Sequence, residues 1–369
     1  MKKTLLVFFC ALMTLSSVRA QDLQGTLNSL AGDAALGYID PITQGFLNNL
    51  NGGLFHKAPQ AKLFGFDLEL GLAVMATPLS TLDKEFSATG TFRFNKSQAD
   101  DIAANTISNT ELYYAQKRDA LSTAIQGSSF TIGISGPTVV GKKYDPADPT
   151  SEVLVSVDGN ASITYNDPLG NPHTESRNFN QIVRTGLGGV GDLGNLAYMP
   201  FMAPQVSLGT LFGTQLTVRY MPKLNIPDVG DLSWTGFGIQ HNLGYWLPIP
   251  FVDVAASFYT QTIKIDPIFE MSGTAFGVNA SKQLGFAFLN ITPYAGFMFE
   301  SAKMKVHYTP PAADYGPGVT PPDIAFEIEG KNSTRLTLGL SLRLLIFNIN
   351  ADYNIGKYNS LTAGIFFAI

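Results

Sequence analysis

The chain has 369 residues, of which 14% are charged and 45% are apolar, with 36 glycines. That charge content is far below the usual quarter, and 24 Lys/Arg against 29 Asp/Glu give a net charge of −5 with no basic run. A nucleic-acid partner therefore has no electrostatic footing.

The first twenty residues have the anatomy of a secretory leader. Lys2 and Lys3 precede an apolar stretch from Leu5 to Met13, and Val18-Arg19-Ala20 gives the small-x-Ala pattern of a cleavage site. Cleavage is expected between Ala20 and Gln21. The apolar stretch is too short to cross a bilayer, which takes about 20 residues. Beyond the leader, 21 basic residues face 29 acidic ones, a net charge of −8. The single cysteine, Cys10, lies inside the leader behind Phe8-Phe9, which does not suit a lipoprotein signal. The mature chain then has no disulfide, thiolate metal site or cysteine nucleophile.

Residues 21–62 do not alternate. Ala34 to Tyr38 and Thr43 to Leu50 read as short helices broken by Pro41 and by Gly52-Gly53, a segment that plugs a barrel from the periplasm or hangs below it. Residues 63–369 read as the barrel, with a helical insert near 98–126 carried by Ile102, Ile107, Leu112, Tyr113, Leu121 and Ile125. Pro, Gly, Asn and Asp mark loops at 141–150, 166–178, 222–231 and 310–322, and short turns at 246–250 and 283–285. Gly186 to Gly191 matches a dinucleotide fingerprint by letter. Pro200 and Pro204 leave no helix after it, so a flexible glycine linker is expected.

Membrane-barrel strands show apolar residues to lipid and small or polar ones to the lumen, with a period of two. Leu336, Leu338, Leu340, Leu342 and Leu344 alternate with Arg335, Thr337, Gly339, Ser341 and Arg343. Phe347, Ile349, Ala351, Tyr353 and Ile355 alternate with Asn348, Asn350, Asp352, Asn354 and Gly356. Leu361 to Ile369 repeats the pattern and ends on Phe366-Phe367-Ala368-Ile369, close to the aromatic end common in outer-membrane barrels. Earlier segments, such as Phe64 to Val74 and Phe212 to Tyr220, alternate less purely. The fold expected is all-β, an antiparallel transmembrane β-barrel of about 12–14 strands with short N-terminal helices. His241 falls on the apolar face of Phe237, Ile239, Leu243 and Tyr245, where it is expected neutral or near the interface.

Nothing in the chain reads as an enzyme. His56, His173, His241 and His307 sit in no nucleophile motif and lack metal-ligand spacing, so no metal or cofactor is expected. Asp67 with Glu69, and Glu327 with Glu329, read as solvated carboxylates facing a lumen or a loop. If Leu289, Ile291, Phe297 and Phe299 face lipid, then Phe286, Phe288, Tyr294 and Met298 face inward, beside Arg335, Arg343 and Asp352 from the later strands. Aromatic residues there suit an apolar solute, or pack against a plug.

Three stretches carry a family resemblance. They are Pro204 to Gly209 running into Phe212-Gly213-Thr214 and Val218-Arg219-Tyr220; Gly236 to Asn242 with Trp246-Leu247-Pro248 and Pro250-Phe251; and Ala351 to Asn354 with Gly356 to Asn359 and Thr362-Ala363-Gly364. Together they resemble an uncharacterised family of outer-membrane β-barrels from the Bacteroidota, over most of the mature chain. More distantly, the plan of N-terminal helices before a barrel is similar to the long-chain fatty acid transporter family, without that family's Asn-Pro-Ala hatch motif. The function expected is a passive outer-membrane channel for small hydrophobic or amphipathic solutes, gated by the N-terminal segment. The alternative is a non-transporting envelope scaffold with protein partners at loops 141–178. Outer-membrane lipid is a partner in both.

Overall fold

The computed structural model describes residues 21–190, 196–226, 230–266, 269–308 and 324–369. The expected leader, including Ala20, and the loop 310–322 lie outside the described residues. The chain divides into two compact units, one of Ile42–Leu82 with Leu196–Ile369, the other of Asp83–Asn195 with the chain up to Pro41.

In the first unit the strands are β1 (Phe64–Pro78), then β6 (Tyr198–Leu211), β7 (Thr214–Ile226), β8 (Gly230–Asn242), β9 (Asp253–Asp266) and β10 (Phe269–Ser281). They continue with β11 (Leu284–Phe286), β12 (Leu289–Tyr308), β13 (Ile324–Glu329), β14 (Thr334–Leu344), β15 (Phe347–Ile355) and β16 (Ser360–Ala368). All pair antiparallel, and the ring closes at β1–β16, from Glu69 opposite Ala368 to Ala76 opposite Leu361. Among the described residues ten strands form the ring; the short β11 and β13 are flaps on β12 that bring the sheet to 12. This is a transmembrane β-barrel. No described helix is long and apolar enough to cross a membrane, so the strands do the crossing. The ring is smaller than the expected 12–14 because the chain between β1 and β6 contributes nothing to it.

That stretch forms the second unit: β2 (Glu85–Phe92), β3 (Phe130–Pro137), β4 (Leu154–Asn166) and β5 (Pro172–Arg184) in a separate sheet of order β2-β3-β4-β5. Residues 172–178, expected as loop, are strand. The hairpin needs only the turn at 167–171, where Asp167 accepts hydrogen bonds from the amides of Leu169 and Asn171. Two helices lie in the stretch read as a helical insert, α2 (Lys96–Thr106) and α3 (Tyr114–Gly127). Asn95 and Gln98 close a capping box at the start of α2, and Ile102, Leu121 and Ile125 are buried. As far as Val190, where the described residues stop, the glycine run is no flexible linker. A Cβ on Gly188 would sit 2.3 Å from the Tyr144 amide and one on Gly189 2.4 Å from the Gly141 carbonyl. The run lies against the 141–144 backbone, and Tyr38 donates to the Gly188 carbonyl at 2.9 Å.

Helix α1 (Gln21–Leu50) is continuous through Pro41, not two short helices. Proline removes one backbone donor and crowds the preceding turn. Packing outweighs that cost: Ala34, Ala35 and Tyr38 are buried in the second unit, and Gln44, Leu47, Asn48 and Leu50 in the first. The helix stops at Gly52-Gly53, as expected. Gly53 adopts φ +61°, and a Cβ on Gly52 would lie 2.7 Å from Met75 on the barrel wall.

The two ends of the ring differ. At the end holding Leu63 and Ile369, β6–β7 turns through residues 212–213 and β14–β15 through 345–346. Phe212, Phe251 and Leu345 at this end have positive φ, 51°, 72° and 55°. That backbone costs a side chain roughly 1–2 kcal/mol relative to glycine.

Candidate functional site

The site is the lumen and the segment 42–62 that runs through it. Alternation places Arg335, Thr337 and Ser341 of β14, and Asn348, Asn350 and Asp352 of β15, inside, while their leucine, isoleucine and phenylalanine neighbours are exposed outside. The segment enters at the long-connection end. There Asn48 donates to Thr77 Oγ1 at 2.9 Å, Asn49 to the Met199 carbonyl at 2.8 Å, and Asn332 to Asn48 Oδ1 at 2.8 Å.

The last carbonyls of a helix have no partner within it and carry partial negative charge. Two wall arginines meet them. Arg335, held by both oxygens of Glu300 at 2.9 and 3.1 Å, donates to the Asn48 carbonyl at 2.7 Å. Arg219 donates to the Leu50 carbonyl that ends the helix at 3.5 Å, and more closely to the carbonyls just beyond it, Gly52 at 2.9 Å and Gly53 at 2.5 Å, and lies 5.8 Å from the Trp234 ring. Gln261 donates to the Leu50 carbonyl. Arg219, Gln261 and Trp234 are lumen residues that the sequence reading did not select, although Arg219 shares a strand face with Gln215 and Thr217 there.

Below the helix, Leu54 and Phe55 fill an apolar pocket with Tyr259, Ala275, Tyr294 and Met298. The Phe55 and Tyr294 rings meet edge-on at 6.0 Å, and Tyr294 donates to Asp352 at 2.9 Å. His56 stacks on Phe366 at 5.0 Å, and its Nε2 lies 2.8 Å from Glu69 Oε2 without the alignment of a hydrogen bond. Lys57 bridges Asp67 at 2.6 Å and Glu69 at 3.0 Å. Glu69 is fully buried, so it is an anchor for the plug and not the solvated carboxylate expected. Glu327 is exposed on β13 and pairs with Lys303 and Lys305. Past Lys57 the segment opens into a vestibule of about 410 Å³, lined by Lys57, Lys62, Asp67, Asp253, Arg343 and Phe288 among others.

Tyr294, Met298, Arg335 and Asp352 are thus in the lumen. Arg343 lies at the mouth, bonded to the Ala368 and Leu345 carbonyls. Phe286 and Phe288 do not share the inward face of β12. The phase that holds from Leu289 to Phe299 does not extend through the β11–β12 connection, and both rings are exposed at the short-turn end, stacked at 6.3 Å, with Phe288 lining the vestibule. Gln21 begins α1. His241 sits at the short-turn end, where Trp246 Nε1 donates to its Nε2 at 2.6 Å and Thr214 Oγ1 meets its Nδ1 at 2.9 Å. Indole can only donate, so Nε2 of His241 is the acceptor. Among the described residues no cluster of three or more His, Asp or Glu is placed to hold a metal.

A ring of antiparallel strands with an apolar outside and a polar inside defines a membrane β-barrel. Within that class, the chain belongs to a family of unknown function (DUF6588), whose model matches residues 1–369. Solved structures similar to it include a loop L8 deletion mutant of OmpT, an outer membrane protein of Vibrio cholerae, at 9% identity over 83% of this chain and 98% of that one, TM-score 0.23. A bacterial polysaccharide outer membrane secretin is 6% identical over 82% and 98%, TM-score 0.23, and OprB of Pseudomonas putida 10% over 82% and 92%, TM-score 0.18. Such likeness carries no argument about solute or mechanism. No match was found among curated proteins.

Proposed function

We propose that this protein is an outer-membrane channel for small hydrophobic or amphipathic solutes, non-enzymatic and closed at rest by residues 42–62. The observation that carries the reading is the construction of the plug: a separate stretch of chain with its own polar anchors at Arg219, Arg335 and Glu69, not side chains of the wall. Burying Leu47, Leu50, Leu54 and Phe55 stabilises the closed form by roughly 1.5–3 kcal/mol each. Thermal loss of the whole plug is therefore negligible, and opening takes a partial shift of the stretch below Gly53.

Short turns usually face the periplasm. On that rule the plug enters from the outer side, opposite to the insertion from the periplasm expected from sequence. The outer-membrane location itself is supported by the apolar exterior. The cleaved leader rests on the residue pattern of 1–20, and the Bacteroidota source and the fatty-acid-transporter plan on the sequence resemblances alone.

One observation favours the alternative of a non-transporting scaffold: Leu47, Leu50, Trp234, Ile263, Met271 and Phe366 fill the upper lumen as a packed core. Single-channel conductance separates the two. A mature chain lacking residues 21–62 should conduct at least tenfold more than the full mature chain while keeping the heat-modifiable mobility of a folded barrel. A disulfide between Ala58→Cys and Ser281→Cys, whose parents are joined by a 2.9 Å hydrogen bond, should hold conductance at baseline until reduced. No conductance from the deletion, with the barrel folded, overturns the channel and leaves the scaffold.

A further inference from the structure

The β4–β5 hairpin of the second unit carries a cluster of rings. Tyr165 and His173 stand directly opposite each other on the two strands, on the face that carries the buried Ile163 and Phe179. Tyr113, the last residue of the α2–α3 connection, joins them. The three centroids are 5.5, 6.0 and 6.1 Å apart, at interplanar angles of 18°, 29° and 47°. A single stack would place its outer rings at the sum of the two inner spacings, so these rings form a patch and not a column. The patch is open to solvent: the His173 side chain is 44% exposed and both tyrosines are partly exposed.

Its inner side is filled. Lys117 on α3 sets its ammonium 5.6 Å from the Tyr165 centroid, nearly buried, and Glu111 at 3.1 Å and Glu175 at 3.5 Å hold it there. Arg177 pairs with the same two carboxylates at 2.5 and 2.8 Å. Two cations answer two anions, which leaves no unpaired charge beneath the rings for an ionic ligand. What faces outward is ring surface with its negative π-faces. The Tyr113 and Tyr165 hydroxyls and the His173 imidazole supply donors and acceptors at its edge, and the Asp167 carboxylate stands 3.3 Å from His173 Nε2.

Two further observations say that this end of the unit meets something. Tyr113 holds φ +62°, a backbone that costs any side chain relative to glycine and that persists at ligand clamps. Leu112 and Leu169, on the two loops that bring the rings together, are 71% and 88% exposed, more than any other large apolar side chain of this unit among the described residues.

We infer that the patch binds a neutral hexopyranose, its C–H face laid on Tyr165 and His173 and its hydroxyls bonded along the edge by Asp167, His173 and Tyr113. A flat apolar face bordered by hydroxyls complements this arrangement. An alkyl chain would use only the rings, and an ion only charges that are already paired. Every residue of the site belongs to the second unit, so the inference stands apart from the channel reading.

The test is saturation-transfer NMR on the full mature protein in detergent micelles, with the methyl glycosides of glucose, galactose and mannose as probes. At least one should receive transfer, strongest at its ring C–H protons. His173→Ala removes an exposed ring, and Tyr113→Gly removes a ring while relieving the backbone. Each should cut that transfer at least threefold with amide exchange along β4–β5 unchanged. Ser162→Ala, on the opposite face of β4, should leave it within a tenth. A free sugar and the hexose of a glycan chain share this chemistry; the chain is assigned if the corresponding trisaccharide competes at least tenfold better, and the free sugar if it does not. No transfer to any of the three probes overturns the inference. So does transfer that survives both ring substitutions, which puts the sugar elsewhere, the lumen included.

Discussion

In β14, Leu336, Leu338 and Leu340 stand exposed while Arg335, Thr337 and Ser341 are buried; in β4, Val157, Ala161 and Ile163 are buried while Asp158, Asn160, Ser162 and Thr164 stand exposed. The period is two in both. What differs is the medium on each side: β14 turns its apolar face to lipid and its polar face to a plugged lumen, whereas β4 packs its apolar face under helices. Alternation fixes which residues share a face and is silent on whether that face is inside or outside.

Several changes would break or sharpen that contrast. The largest effect is expected from Arg335→Ala. It leaves Glu300 buried without its partner, a loss of about 3–5 kcal/mol in urea unfolding of the reconstituted barrel. Arg177→Ala removes a partly exposed pair with Glu111 and Glu175 in the second unit and should cost no more than about 1 kcal/mol. Arginine on the exposed faces comes next. Leu340→Arg should destabilise by about 2–4 kcal/mol, as for a charge set against lipid, and Ser162→Arg by under about 0.5 kcal/mol. Equal effects would show that both faces meet the same medium. Tyr38→Phe, which deletes the donor to Gly188, should cost about 1 kcal/mol and loosen amide protection of residues 188–190 without changing conductance. The smallest effect is expected from acid. Hydrogen bonds from Asn171, then from His173 and Leu169, hold the Asp167 carboxyl down to about 2. Its support of the β4–β5 turn is therefore complete above the ordinary carboxylate range and lost as pH falls through about 2, and amide exchange at Leu169 and Asn171 reports it.

Where the phase ran unbroken, the sequence was enough. Arg335, Asp352, Tyr294 and Met298 lie inward as their strands require. Phe286 and Phe288 do not continue the inward face of β12, because a connection resets the phase and no local signal marks the reset; Phe288 nonetheless lines the vestibule. Arg219 was legible as polar-face, yet its role as a cap depends on carbonyls more than 160 residues upstream. Glu69 was legible as inward. That it would be dry depended on His56 and Lys57 arriving from a segment with no periodic pattern of its own. The strand number failed for the reason the two sheets illustrate.

The lumen segment is fastened at both ends, by α1 above and by β1 immediately below, and β1 zips to β16, the strand most distant from it in the ring's sequence order. The closing seam thus joins the two most remote edges, a contact slow to form because so much chain must be gathered first. Closing that seam leaves the occupant tied to the wall by the wall's own first strand, as a cork is tied to its bottle, so a segment displaced from the pore stays within reach of it.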